Sequence, residues 1–233
     1  MRKIIEKRQF IILVILITLF VWTGCSNGGT QPKENSLSEG TIVYTAEVMD
    51  NNSAFASMAP NKMTVKFKNN KCVAEMNAGM GLLSTSFISN PDAKTFIILI
   101  KFMNKKYSVV KADDEIKKDN ELFNLEIIPT KVTKKIAGYN CKKAIVHYKG
   151  GDPLDYDIYY TNELNIKNPN FSNPYYMVDG VLMEYKMKKF GLDIKFTAKS
   201  VAKEDVEDSN FNLPEDYKKI TEAEMNEMFV DFQ

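Results

Sequence analysis

The sequence predicts a mainly β fold with minor α content: one large curved antiparallel sheet or incomplete barrel, carrying a short C-terminal helix. Three observations predict it. From Thr41 onward the chain alternates apolar and polar residues in strand-length runs. The runs are separated mostly by Asn, Gly and Pro turn chemistry. Helix signatures are confined to two short places, near Asp113–Lys118 and after Thr221.

The elements follow in order. Thr41 to Val48 places Ile42, Tyr44, Ala46 and Val48 on one face of a strand. Met63, Val65 and Phe67 alternate with Thr64, Lys66 and Lys68. Asn69-Asn70 then predicts a two-residue turn, because Asn tolerates positive φ, with Lys71 to Met76 returning as the second arm. Leu82 to Ile88 and Lys94 to Phe102 are the next two strands, joined through Asn90-Pro91-Asp92, and Asn104-Lys105 turns into Lys106 to Val110. Beyond the charged interval at Asp113–Asn120, Phe123 to Ile128 is a strand. Thr130 to Ile136 and Tyr139 to Tyr148 pair about Ala137-Gly138, and Asp157 to Thr161 follows. The clearest alternation comes late. Val181, Met183, Tyr185 and Met187 share one face, and Leu192, Ile194, Phe196 and Ala198 share another across Phe190-Gly191. The opposite faces hold Glu184, Lys186, Lys188, Asp193, Lys195, Thr197 and Lys199, so the sheet is expected to have one dry and one wet face. Thr221-Glu222-Ala223-Glu224 is a capping box that opens a short helix with Met225, Met228 and Phe229 on one side.

The N-terminus has a different grammar. Arg2, Lys3, Lys7 and Arg8 precede a thirteen-residue run, Phe10 to Trp22, in which Thr18 is the only polar residue. A basic start, an apolar run of this length and small residues at its end make a signal peptide over residues 1–24. The run falls short of the roughly 20 residues a membrane span needs, although an uncleaved anchor is the alternative reading. Val21-Trp22-Thr23-Gly24-Cys25 resembles the lipobox of bacterial lipoproteins. That resemblance implies cleavage before Cys25 and acylation of its sulfur with chains such as palmitate. Trp22 stands where the lipobox usually has Leu; an ordinary signal peptide followed by a stray cysteine is the other possibility. Residues 25–39 contain Leu37 as their one large apolar side chain and read as a flexible tether. Residues 40–233 then form a single antiparallel β domain. No acidic run follows Cys25, which favours an outer membrane location facing the periplasm.

Composition narrows the function. Residues 1–24 hold four of the 31 Lys and Arg and one of the 30 Asp and Glu. The remainder carries 27 basic against 29 acidic residues, a net charge of −2. A nucleic-acid binder would show a basic excess, so nucleic acid is not an expected partner. From Gly40, 194 residues remain, enough for one domain with a substantial core. Cys72 and Cys141 are a candidate disulfide in an oxidising compartment, or two half-buried thiols.

No catalytic or metal site is expected, and no cofactor. His147 lacks partners at ligand or triad spacing and reads as an ordinary strand residue. Ser84 and Ser86 lack a nucleophile-elbow setting. Asp152, Asp155 and Asp157 lack the spacing and the closing Glu of a calcium loop, so they read as a solvated turn. The methionines Met58, Met76, Met80, Met177, Met183 and Met187 line a deformable apolar cavity or simply fill the core. Tyr44, Phe67, Phe96, Tyr185 and Phe196 share that interior under either reading. The candidate cavity is therefore Tyr44, Phe67, Met76, Phe96, Met183, Tyr185, Met187 and Phe196.

Four segments, taken together, resemble a known group. Thr133-Lys134-Lys135-Ile136-Ala137-Gly138-Tyr139-Asn140-Cys141-Lys142-Lys143-Ala144 is similar to the K-I-x-G-Y-x-C-x-K-A segment of the GLPGLI family and its sister envelope families. Asp157-Ile158-Tyr159-Tyr160-Thr161-Asn162-Glu163-Leu164 resembles the W-Y-T-x-E-I strand that follows it, with Tyr in place of Trp. Met177 to Glu184 stands where those proteins carry Gly-Leu-Pro-Gly-Leu-Ile-Leu-Glu, with Gly180 and Glu184 identical. Leu213-Pro214-Glu215-Asp216-Tyr217-Lys218-Lys219-Ile220-Thr221 is similar to their endings. Departure from the name motif makes a sister group the better match. The resemblance implies a fold like the LolA and LolB lipoprotein carriers, an incomplete barrel that holds acyl chains against its concave face. The expected function is a non-enzymatic, membrane-tethered lipoprotein that binds a lipid or acyl chain. The alternative is a tethered interaction or structural module with no ligand. A cavity of at least about 300 Å³ would favour the first and a solid core the second.

Overall fold

The computed structural model describes residues 36–49, 56, 59–149, 155–189 and 192–230, the side chains of 189, 229 and 230 excepted. The predicted signal segment, Cys25, most of the tether, Met58, Asp152, the Phe190-Gly191 turn and the side chain of Phe229 lie outside these residues.

The described residues form twelve strands in one open sheet, in the order β12-β6-β5-β4-β3-β2-β1-β11-β10-β9-β8-β7. β1 (Glu39–Val48) lies in the middle. From it β2 (Lys62–Lys68), β3 (Lys71–Ala78), β4 (Leu83–Asn90), β5 (Thr95–Phe102) and β6 (Lys105–Ala112) meander to one side. The chain then crosses through α1 (Asp113–Leu122) to the far edge. It returns as β7 (Leu125–Ile136), β8 (Tyr139–Tyr148), β9 (Tyr156–Thr161), β10 (Val181–Lys189) and β11 (Leu192–Ala202), which closes on the other side of β1.

The turn chemistry acts as read. Asn69 and Asn70 take φ of 49° and 69°, and Ala137 and Gly138 take 49° and 87°; these are the left-handed values a two-residue hairpin loop requires. Gly40 is the position where β1 admits no side chain. At φ +153°, a Cβ there would stand 2.2 Å from the Ala202 carbonyl oxygen of β11.

Four expectations are corrected. The segments Phe123–Ile128 and Thr130–Ile136 form one strand, β7, whose register shifts between Pro129 and Thr133, because proline cannot donate to the ladder. The helical turn at Asp113–Lys118 is a full ten-residue helix; three acids occupy its first turn, and the Glu115 carboxylate accepts the Ala112 N–H at 2.9 Å. The sheet is mixed, since the two-residue β12 (Lys218–Lys219) runs parallel to β6. The division into one dry and one wet face holds only in part.

Curvature follows from who meets whom. Met63, Phe67 and Met76 of β2 and β3 share one buried cluster with Cys141, Ala144 and Val146 of β8. Those strands are separated in the sheet by β1, β11, β10 and β9, so their common face is concave. On the convex face, Val73, Ile88 and Leu99 are buried beneath Val206 and Phe211 of a C-terminal strap. The strap is bonded to the sheet: Lys66 Nζ donates to Asn210 Oδ1 at 3.0 Å, and Lys68 Nζ donates to the Val206 carbonyl at 2.9 Å. The chain then rounds the β6 edge, and α2 (Glu222–Val230) places Met225 and Met228 against Ile98, Ile100 and Val109 on the concave side. The predicted capping box starts α2, with Thr221 N–H donating to Glu224 Oε2 at 2.7 Å and Glu224 N–H to Thr221 Oγ1 at 3.2 Å.

Candidate functional site: an uncharged cavity on the concave face

Strand pairing assembles the site row by row. Cys72, Ser89, Phe96 and Lys111 stand opposite one another across β3 to β6; Ala74, Phe87, Ile98 and Val109 form the next row, and Met76, Thr85, Ile100 and Tyr107 the one after. β1 and β2 continue the surface with Ile42, Tyr44, Met63 and Val65, and β10 and β11 with Val181, Leu182, Tyr185, Met187 and Phe196. Over the concavity lies the connection between β9 and β10, which contributes Ile166, Pro169, Asn170, Ser172 and Asn173. Of the β3 to β6 rows, Cys72, Ala74, Met76, Phe87, Ser89 and Phe96 join these residues in lining a cavity of about 130 Å³. Drug-sized sites occupy about 300–1,000 Å³, whereas an apolar cavity of about 150 Å³ takes up benzene. The concave face is thus neither packed solid nor open enough for a whole lipid.

The covering segment is built from side-chain bonds. Asn170, 3 % exposed, donates to the carbonyls of Val178 at 2.8 Å and Gly180 at 2.9 Å. Asn120 of α1 donates to the Phe171 carbonyl at 2.9 Å, and Lys167 N–H donates to Asn70 Oδ1 at 3.0 Å. Tyr175 is buried beneath it, with its hydroxyl on the Lys186 carbonyl and 2.7 Å from that of Tyr156.

The lining carries no charged side chain. Burial pushes the Cys72 thiol up to about 12, and burial likewise raises the Tyr44 and Tyr185 phenols above their usual value. All three therefore stay neutral across ordinary pH. The Tyr44 hydroxyl donates to the Leu182 carbonyl at 2.9 Å across the curve of the sheet. The Tyr185 ring packs against Tyr44, Tyr175 and Phe196, with centroids 5.3–6.2 Å apart. Lys111, nearly buried, does not line the cavity. It is held by Asp119 of α1 and Glu222 of α2, and although burial works to lower its pKa, these two carboxylates raise it above the usual lysine value.

Of the predicted cavity residues, Tyr44, Met76, Phe96, Tyr185, Met187 and Phe196 line the space. Phe67 and Met183 are fully buried in the adjoining core and do not line it. Cys72 and Cys141 are both free thiols, the first facing the cavity and the second buried on β8, where burial pushes it up to about 11. Met80 and Met177 are exposed, because Met80 sits at φ 55° in the turn before β4 and Met177 in the covering segment. Met63 takes the cavity position instead, directly opposite Met76 in the register. Ser89 and the covering residues were not anticipated. Ser89 falls one residue beyond the predicted strand, and the Asn-rich stretch from Asn162 to Gly180 has no periodicity to read.

His147, Asp155, Asp157 and Ser84 have local partners outside the cavity. His147 Nδ1 lies 2.7 Å from Asp155 Oδ1, Asp157 pairs with Lys143 at 2.7 Å, and Ser84 donates to Asn77 Oδ1 at 2.7 Å. Among the described residues no three His, Cys, Asp or Glu side chains form a metal-binding group, and no helix is long and apolar enough to cross a membrane.

No protein-family model matches the chain, and no curated protein matches it. The GLPGLI resemblance therefore rests on the sequence segments alone. Among solved structures, the chain is similar to the lipoprotein LppX of Mycobacterium tuberculosis, at 10% identity over 73% of this chain and 89% of that one, with a TM-score of 0.37. It is also similar to LprF of Mycobacterium bovis, at 15% identity over 70% and 85%, with a TM-score of 0.31.

Proposed function

We propose that this protein is a non-enzymatic lipoprotein of the cell envelope, acylated on Cys25, that holds an apolar moiety of a lipid or acyl chain against its concave sheet. The observation that carries the reading is the cavity of about 130 Å³, walled by aromatic and methionine side chains and free of charge. Its volume suits a chain end or ring, with longer chains requiring the methionines and the covering segment to yield. A lipid anchor in the outer membrane, with the domain facing the periplasm, would place this cavity beside its source of ligand.

Native mass spectrometry of the full chain, gently extracted from its envelope, tests the reading. Reproducible co-purified lipid supports it, and a bare polypeptide mass counts against it. A module with no ligand is favoured by the modest cavity volume, and it predicts the bare mass. The anchor has a separate test. Cys25→Ser should move the protein out of the membrane fraction; a variant that stays membrane-bound and uncleaved would show that Phe10 to Trp22 is itself the anchor.

A further inference from the structure

We infer that the cavity selects an uncharged amphiphile whose hydroxyl or carbonyl oxygen hydrogen-bonds to Ser89 while its apolar part runs along the concave face towards Met63 and Met76. The inference rests on the ligand-binding reading above and narrows it to a chemical class.

Ser89 is 8 % exposed and lines the cavity, and its Oγ has no hydrogen-bond partner. A buried hydroxyl without a partner is unfavourable, so a serine on the wall of a cavity is the group there that a ligand's polar atom would satisfy. Thr41, Thr85 and Ser108 also lack partners, but none of them lines this space. The surroundings give the site polarity along one axis. Ser89 stands opposite Cys72, next to the Asn69-Asn70 turn, where Lys167 of the covering segment is bonded to Asn70. Met63 and Met76 face each other four residues along β3, about 13 Å away at strand rise. One end is thus hydrogen-bonding and the other apolar and deformable.

Charge exclusion follows from the same row. On this row the cation is Lys111, beyond Phe96, and Asp119 and Glu222 already engage it. A carboxylate or phosphate in the cavity would be desolvated with no counter-charge. The neutral Cys72, Tyr44 and Tyr185 supply none.

The test uses the full chain with methyl-labelled methionine and two probes of equal length, hexan-1-ol and hexanoate, at about pH 8, where a free carboxylic acid is ionised. Hexan-1-ol should shift the Met63, Met76 and Met187 methyl signals and leave Met225 and Met228 in place. Hexanoate should bind about tenfold more weakly or worse. Ser89→Ala should weaken hexan-1-ol about three- to tenfold, whereas Thr85→Ala, which removes an equally unpartnered hydroxyl outside the cavity, should not. Equal binding of the two probes, or an unchanged affinity in Ser89→Ala, overturns the inference and leaves the binding reading standing. If neither probe shifts the cavity methionines, both fall.

Discussion

The two halves of the sheet bury their surface differently. In β1, β10 and β11 the concave side chains Tyr44, Tyr185, Ile194 and Phe196 form core, while Asp193, Lys195 and Lys199 face outward. In β3 to β5 the concave face is apolar apart from Thr85 and Ser89, but Val73, Ile88 and Leu99 make the convex face apolar as well. A sheet dry on both sides needs cover on both sides. The strap from Val206 to Tyr217 supplies it on the convex side, and α2 supplies it on the concave side. One half is thus completed by its own curvature and the adjoining β9–β10 connection, and the other by sequence far away in the chain. The cavity lies towards the boundary, where Phe87 and Phe96, stacked at 6.2 Å, line the space and also pack in the cluster under α2.

The largest effect is expected in the self-completed half. Phe196→Ala should cost about 3–5 kcal/mol in chemical denaturation, as aromatic truncation does in a core that cannot collapse. Phe211→Ala in the strap should cost less, about 2 kcal/mol, because a surface segment relaxes over the gap. If the two losses prove equal, the strap belongs to one cooperative core and the contrast between the halves is broken.

The backbone seam between β1 and β11 comes next. Gly40→Ala combines φ +153° with the approach of the Ala202 carbonyl, and should cost about 2–3 kcal/mol. Loss of the β1–β11 ladder amides to hydrogen exchange before those of β4–β5 would place the damage at the seam; uniform loss would argue against it.

What the sequence disclosed divides along the same line. Alternation exposed nearly every strand, since a period of two is visible whenever one face is wet. The turns were legible because Asn69-Asn70 and Ala137-Gly138 carry the required chemistry. Parity put Tyr44, Tyr185, Met187 and Phe196 on the cavity side, but parity says nothing about depth, so Phe67 and Met183 came with them although both are core. The strap was hidden because Val206, Phe211 and Tyr217 are widely spaced single residues that follow no period. The covering segment was hidden because Asn170, Asn173 and Asn120 organise it through side-chain bonds that only the fold brings together.

The smallest effect is expected at Glu39, and it separates strap from core by pH. The Val206 N–H donates to Glu39 Oε1 at 2.7 Å, and this bond, aided by Lys68, holds the carboxyl below its usual pKa. A depressed carboxylate contributes stability that is complete above its unfolded value, about 4.3, and is lost as pH falls through the lower folded value. The group is solvent-accessible, so the loss should loosen the strap locally rather than unfold the domain. Hydrogen exchange at Asn210 and Asn212, whose N–H groups are bonded within the strap to Glu207 and Ser209, should therefore accelerate relative to the β8 amides as pH falls below that unfolded value. Glu39→Gln should abolish that difference. If the strap and β8 amides respond to acid together in the parent protein, the strap opens only with the whole fold.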